Sequence, residues 1–586
     1  KGIGSYFENL MLPFLILVSI FVNYLTGQYL SLSRYIKSSE IYQIAFRNLI
    51  LIFLLILFES LFINEPIKLK PFFLFWVVIT LINIISRFSL KEIINSLKYF
   101  NSKRICRVAI YGAGAAGAQL ASSLILEGNH KVVAFFDDSS NLWGRKLLGV
   151  SIYSSEDIHK FKGKVDQVLL AIPSLSLDSS RNLIQRIQSF ELPVLKVPSI
   201  EALTQGKARI DSLQPIDVED LLGRGPVTPY KKLLGESIDY LNICITGAGG
   251  SIGRELCKQV LVYKPKSLIL IDSSEANLYH LDQEIIQTFL KENKLKCQLI
   301  LGNVTDYNFT KHIFQKNSID IVFHAAAYKH VPLIEINPLK GIENNVFSTY
   351  SICKAAEIAK VKRVTLISTD KAVRPSNVMG ASKRLAEIII QAYADKVKFK
   401  DKLIQNKRTK FSIVRFGNVL NSSGSVVPLF KKQISLGGPI TLTHENVIRY
   451  FMTLAEAAQL VIQSTSLSAG GEVFLLDMGQ PVRIFDLAKQ MIRLSGLSVK
   501  DSKNINGDIE IKITGLRPGE KLYEELLIDA ESHSTEHPLI FKAVESFIPY
   551  EELCENLNLL RKYINSQDTE KVFEILLKMV PQWQKS

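Results

Sequence analysis

Ser368, Thr369, Asp370 and Lys371 place two hydroxyls, an acid and a base side by side. A carboxyl next to an amine is the minimum equipment for moving one proton off a substrate and another onto it. The same residue types also cap turns and helix starts, so the run gains meaning from whatever must position it. Residues 364–367 before it are apolar and largely β-branched, a pattern expected for a buried parallel strand. In an open α/β sheet the carboxyl end of such a strand faces the ligand crevice, and so should Thr369, Asp370 and Lys371. A loop with Arg374 and Pro375 follows, and Ser382-Lys383-Arg384 opens a helical pattern.

The elements upstream supply the crevice. An apolar run at 241–245 leads into Thr246-Gly247-Ala-Gly-Gly250-Ser251-Ile252-Gly253, and a helical stretch, 254–262, follows. Glycines at this spacing let the backbone approach a pyrophosphate, which the helix N-terminus then holds. The next expected strand, 267–271, ends in Asp272, 19 residues beyond Gly253. A carboxylate there binds ribose hydroxyls and favours NAD, although the small Ser273 and Ser274 leave NADP open. Asp306 ends a further strand on the adenine side, and Ala325, Ala326 and Ala327 end another where a cofactor can lie across small side chains. Lys329 and His330 follow on the loop. An earlier copy of the pattern occupies 108–137, with Gly112, Gly114 and Gly117 between strand and helix and Asp137 at the second strand's end. It is not accompanied by an acid–base cluster, so 104–200 is expected to be a Rossmann-like accessory domain, with its own nucleotide left open.

Composition places the rest. Runs 11–25, 48–63 and 71–86 are nearly uncharged and rich in Phe, Leu and Ile, each slightly short of the ~20 residues of an untilted span. They are expected to cross the membrane. The chain begins at Lys1 rather than Met, so its true start is expected to be missing and the odd number of spans to reflect that. Basic residues at 34, 37 and 47, and again from 87 to 107, put the first connection and everything after residue 87 in the cytoplasm. The first 107 residues carry 12 Lys and Arg against 5 Asp and Glu, half of the chain's formal +14. The basic balance therefore belongs to membrane flanks and calls for no nucleic-acid partner. Six scattered cysteines without C-x-x-C argue against structural zinc and a disulfide framework. The expected architecture is α/β: transmembrane helices over 1–103, the accessory domain over 104–200, a connector over 201–240, a second Rossmann-like domain over 241–545 and a helical tail over 546–586.

With these pieces in order, 241–545 resembles the extended short-chain dehydrogenase/reductase superfamily, and within it the nucleotide-sugar 4,6-dehydratases. The motifs are Thr246–Gly253, His324–Pro332, Ser368–Lys371, Arg415–Asn418 and Leu516–Lys521. Including the membrane segment, the chain is similar to the membrane-bound UDP-N-acetylglucosamine 4,6-dehydratases of bacterial polysaccharide and glycan assembly. The resemblance implies bound NAD, a UDP-sugar substrate, a homo-oligomer, contact with lipid through the N-terminal helices, and a multi-pass protein of the inner membrane with catalytic domains in the cytoplasm.

It also implies roles. Asp370 is the acid at the departing C6 oxygen, Lys371 the base at C5, and Thr369 the hydrogen-bond partner of the C4 oxygen. For this, Asp370 must be protonated and Lys371 neutral, or the two must share a proton. Lys383 holds the nicotinamide ribose. The superfamily's tyrosine is replaced by Met379, which has no proton to exchange, as in the large membrane-bound members. What deprotonates the C4 hydroxyl is left open. Lys329, His330, Asn345, Asn418, Arg449, Arg517 and Glu520 match positions around the uridine diphosphate or sugar. A 4-epimerase on the same fold and a nucleotide-binding membrane scaffold are the alternatives.

Overall fold

The computed structural model describes residues 18–22, 24–25, 38–62, 69–101, 106–127, 130–172, 177–188, 192, 194–196, 214–215, 218, 229–236, 238–286, 289, 295–401, 409–495, 497–502, 504–525, 532–543 and 545–585. The chain forms two compact units, Lys1–Ser155 with Gly163–Asp166, and Glu156–Lys162 with Gln167–Ser586. The segment 104–200 contributes to both.

In the first unit, helices Ser38–Phe62 and Leu69–Asn101 pair through the few polar groups on apolar surfaces. Asn48 Nδ2 donates to Thr80 Oγ1 at 3.0 Å, and Trp76 Nε1 to the Ala45 carbonyl at 3.0 Å. Among the described residues, Leu69–Ser86 is the one window long and apolar enough to cross a membrane; Tyr42–Leu57 is apolar but shorter. Outward-facing side chains such as Phe53 and Phe73 are exposed. Most of the apolar run at 11–25 lies outside the described residues. Then β1 (Cys106–Tyr111), helix Ala115–Glu127, β2 (His130–Asp137), β3 (Lys146–Leu147) and β4 (Val150–Ser154) follow. β1, β2 and β4 pair in parallel, with β3 antiparallel on β4.

In the second unit, β5 (Gln167–Leu170), β6 (Val194–Lys196) and β7 (Gln214–Pro215) pair with one another. The dominant element is a nine-stranded sheet. Its strands are β8 (Asn242–Thr246), β9 (Ser267–Asp272), β10 (Lys296–Leu301), β11 (Ile321–His324), β12 (Arg363–Ile367) and β13 (Lys410–Arg415), then β17 (Val473–Leu476), β21 (His533–Ser534) and β22 (Ile540–Ala543). Between them, β14 (Asn418–Val419), β15 (Ile440–Leu442), β16 (Ile448–Met452), β18 (Pro481–Arg483), β19 (Val499–Lys500) and β20 (Ile509–Ile513) build two small sheets. The large sheet runs β10-β9-β8-β11-β12-β13-β17-β22-β21, parallel except at β22 and β21. Its central strands are apolar without alternation because both faces are covered. Ile243 and Ile245 pack with Leu256 and Val260 on one side, while Cys244, Val322 and Val364 pack with Val346 and Leu385 on the other. Strand order reverses between β8 and β11, which opens the crevice beyond their carboxyl ends. The tail folds as helices Tyr550–Asn565 and Thr569–Met579, whose Leu553, Leu557, Leu560 and Leu576 join the second of these cores.

Candidate active site

The crevice is a cavity of about 730 Å³, within the range of small-molecule sites. Gly247, Gly250, Ser251, Ile252, Gly253, Ala325 and Ala327 line it, together with Lys329, His330, Thr369, Lys371, Met379, Lys383 and Asn418. Gly247 turns at φ +67°, and a Cβ on it would stand 2.7 Å from the Ala326 backbone. A Cβ on Gly253 would collide with the Gly247 carbonyl. The tightness lets the β8 loop and the end of β11 close on one another, and only glycine permits it. Helix Ser251–Val262 starts at Gly250 with no side-chain cap, leaving its amides for a ligand. Asp272 is 8% exposed; its carboxylate accepts the Gly249 amide at 2.9 Å and the Ser274 amide at 2.9 Å. These residues fit a dinucleotide: an open helix N-terminus for phosphate, and a carboxylate at the second strand's end for ribose.

The floor is polar and buried. His324 at the end of β11 contacts Thr246 Oγ1 at 2.7 Å and Thr349 Oγ1 at 3.2 Å, locking three elements together. Burial, with Lys383 nearby, pushes its pKa down to about 3, so the ring is neutral. Lys383 Nζ donates to the Ile367 carbonyl at 2.7 Å, which ties helix Val378–Asp401 to the end of β12. Burial lowers its pKa to about 8, against the opposing pull of Glu387. Ser368 Oγ donates to Glu387 Oε1 at 2.7 Å. Arg415 bonds Glu387 and Glu545, and Arg384 reaches Glu387 at 3.1 Å and Glu545 at 3.0 Å. Arg415 therefore belongs to a buried framework beneath the Thr369–Lys371 turn.

Asp370 is 1% exposed. Its Oδ1 accepts from Thr369 Oγ1 at 2.8 Å and from Lys371 Nζ at 3.0 Å, while Oδ2 has no hydrogen-bond partner. Lys371 Nζ also donates to Asn418 Oδ1 at 3.4 Å and lies 3.5 Å from Glu524 Oε1. Burial alone would lower the pKa of Lys371, but Asp370 and Glu524 outweigh it and raise it above the ordinary lysine value. Asp370 and Glu524 thus favour the charged form of Lys371 over the neutral one, which leaves a proton shared with Asp370 as the other form of the expectation. Glu524 went unnoticed in the sequence. Its nearest signal is the Glu520-Lys-Leu-Tyr-Glu524 run that extends the Leu516–Lys521 motif.

Several expected site residues have other tasks. Asp306 Oδ1 caps the helix Tyr307–Lys316, accepting from the Asn308 and Phe309 amides at 2.8 and 3.1 Å. Asn345 is 2% exposed and clamps Tyr328, donating to its carbonyl at 3.0 Å and accepting its amide at 2.7 Å. Arg449 donates to the carbonyls of Ile448, Lys521 and Leu522, so it braces the 520–524 segment. Glu520 accepts from Thr443 Oγ1 at 2.9 Å, and Arg517 is exposed, with its amide on Glu520. None of these five is in the cavity lining. In the first unit, Asp137 accepts the Ala113 amide at 2.8 Å and the Ser139 amide at 2.9 Å, the same arrangement as at Asp272. Gly112 and Gly114 lie in the loop beside it, and Gly117 in the first turn of helix Ala115–Glu127.

The sequence profile described as "Polysaccharide biosynthesis protein" matches residues 243–545, and one described as "C2185-like, N-terminal" matches 104–187. The chain is 37% identical to the "Capsular polysaccharide biosynthesis protein CapD" of Staphylococcus aureus over 90% of this chain and 87% of that protein. A "UDP-N-acetylglucosamine 4,6-dehydratase (inverting)" of Campylobacter jejuni is 32% identical over 50% of this chain and 79% of its own length. A "UDP-glucose 4-epimerase" of Rickettsia bellii is 33% identical over 50% and 80%. The chain belongs to the polysaccharide biosynthesis protein family, among the nucleotide-sugar dehydratases and epimerases of the extended short-chain dehydrogenase/reductase fold.

Proposed function

We propose that the chain is a nucleotide-sugar 4,6-dehydratase that converts UDP-N-acetylglucosamine to its 4-keto-6-deoxy product for surface polysaccharide or glycan assembly. The observation that carries this reading is Asp370, buried and hydrogen-bonded to both Thr369 and Lys371. An epimerase oxidises C4 but needs no base at C5 and no acid at C6. A binding scaffold needs neither.

Residues 247–253, Asp272, Ala325–Ala327 and Lys383 would hold NAD, which supplies the hydride acceptor at C4 and the donor at C6. The chain's own residues move the protons. Thr369 Oγ1 takes the C4 hydroxyl proton while passing its own along the 2.8 Å bond to Asp370 Oδ1. Asp370 is thereby protonated as the acid for the departing C6 oxygen, and the role left vacant by Met379 is filled. Lys371 removes the C5 proton and later returns it. One proton leaves the C4 hydroxyl and departs with water; the other leaves C5 and comes back, so the cycle balances.

The same proposal places helices Ser38–Phe62 and Leu69–Asn101 in the inner membrane of a multi-pass homo-oligomer, with the domains after them in the cytoplasm. Mass spectrometry of the product formed from UDP-N-acetylglucosamine tests the activity. Loss of one water supports dehydration; an isomer of unchanged mass supports the epimerase.

A further inference from the structure

Resting Lys371 carries a proton that must go elsewhere before the amine can act as a base, and the cluster around it offers one open destination. Asp370 cannot take it, because in the proposed cycle it receives the C4 proton. Glu524 stands on the other side of the ammonium, Oε1 3.5 Å from Lys371 Nζ, and it is 8% exposed. Its second oxygen, Oε2, is buried with no hydrogen-bond partner. Buried carboxylate oxygens are normally satisfied, and an unsatisfied one is a place where a proton can be added without breaking a bond.

The segment that carries Glu524 is held rigidly. Arg449 on β16 donates to the Lys521 and Leu522 carbonyls at 2.7 and 3.1 Å and lies 3.7 Å from Glu524 Oε1. Ser376 and Asn377, beyond the catalytic turn, donate to the Gly519 carbonyl at 2.8 and 3.0 Å, and Lys521 Nζ donates to the Val373 carbonyl at 3.1 Å. The turn and the 519–524 segment are therefore one assembly. The charged groups facing Lys371 are Asp370 from its own turn, Glu524 from this segment and Arg449 behind it.

We propose that Glu524 is a positioning residue for Lys371: it accepts the resting lysine's proton to free the amine for C5, and gives it back when the cycle closes. The exchange is Lys-NH3⁺ with Glu-COO⁻ going to Lys-NH2 with Glu-COOH, which conserves charge and protons. This inference rests on the dehydratase reading for its catalytic consequence, while the Lys371–Glu524 pairing stands on geometry alone. Glu524 does not line the cavity, so its effect must pass through Lys371.

The test uses the full chain carrying Glu524→Gln or Glu524→Asp. In Glu524→Gln, exchange of the C5 hydrogen with solvent deuterium should slow by ~10²–10⁴-fold, the usual worth of a proton-transfer group. KM and single-turnover hydride transfer from C4 should remain near wild type, and Glu524→Asp should restore part of the loss. Wild-type exchange in Glu524→Gln, or an equal loss of hydride transfer and exchange, overturns the proposal. A second measurement needs no substrate: acylation of Lys371 across pH, followed by mass spectrometry. Removing the carboxylate should move the Lys371 profile to lower pH, and an unmoved profile overturns the pairing. A labelling shift between wild type and Glu524→Gln, together with a wild type that never exchanges C5, overturns the dehydratase reading instead.

Discussion

Asp370 and Gly417 are packed so closely that a Cβ on Gly417 would stand 2.9 Å from Asp370 Oδ2. The same Cβ would also meet Met478 Cε at 3.2 Å, which closes the way back. Gly417 thus fixes where the unpartnered oxygen of Asp370 points. Gly417→Ala should displace that carboxylate and slow water loss by about 10²-fold, the order expected when a reacting group moves by about 1 Å. Rapid-quench measurement of product formation checks this; a wild-type rate would remove Asp370 from the step.

Asp272 should select the cofactor. Its carboxylate is fixed by the Gly249 and Ser274 amides, and a second negative charge from a 2′-phosphate beside it is disfavoured. Denaturing the purified protein should release NAD. Release of NADP alone would contradict the assignment.

Lys383 supplies a pH signature. Its pKa falls from 10.5 to about 8 in the fold, chiefly through burial. Below pH 8 the lysine is charged folded and unfolded, and the burial cost is felt in full. Between pH 8 and 10.5 the folded protein has released the proton while the unfolded chain still binds it, so stability rises with pH. Lys383→Met lacks this term. Its melting temperature relative to wild type should therefore be highest below pH 8 and fall steadily towards pH 10.5. A pH-independent difference in paired thermal melts would contradict the depressed pKa.

Met379 should matter least. It is 3% exposed, sits in the first turn of helix Val378–Asp401 and packs in the core at the edge of the cavity. Met379→Leu conserves volume and should cost less than about 1.5 kcal/mol, with turnover within a few-fold of wild type. Loss of activity with the fold intact would give the side chain a chemical role.

The residues legible in the sequence are those whose geometry is local. Gly247, Gly250 and Gly253 lie within one strand–turn–helix, and Asp370 beside Lys371 is a matter of adjacency. Glu524 was not legible because 153 positions separate it from Lys371. The two meet only because Arg449 and Gly519 fasten the 519–524 segment to the far side of the turn. Asn345, Asp306 and Arg449 show the converse. Their types suit ligand binding, but a sequence does not reveal which hydrogen bonds a side chain has already spent on Tyr328, on a helix start or on the Lys521 carbonyl. The resting charge of Lys371 was hidden for the same reason, since it depends on two carboxylates at once.

The central claim is that Asp370 and Lys371 divide an elimination between them. Its most direct test is single-turnover reaction of UDP-N-acetylglucosamine in deuterated solvent with wild type, Lys371→Met and Asp370→Asn. Wild type should give a product lighter by one water and carrying solvent deuterium at C5. Lys371→Met should lose C5 exchange while hydride transfer from C4 survives; Asp370→Asn should retain C5 exchange and lose water ~10²–10⁴-fold more slowly, because an amide is a poor proton donor. Near-wild-type dehydration by Lys371→Met would contradict the assignment of that lysine as the C5 base.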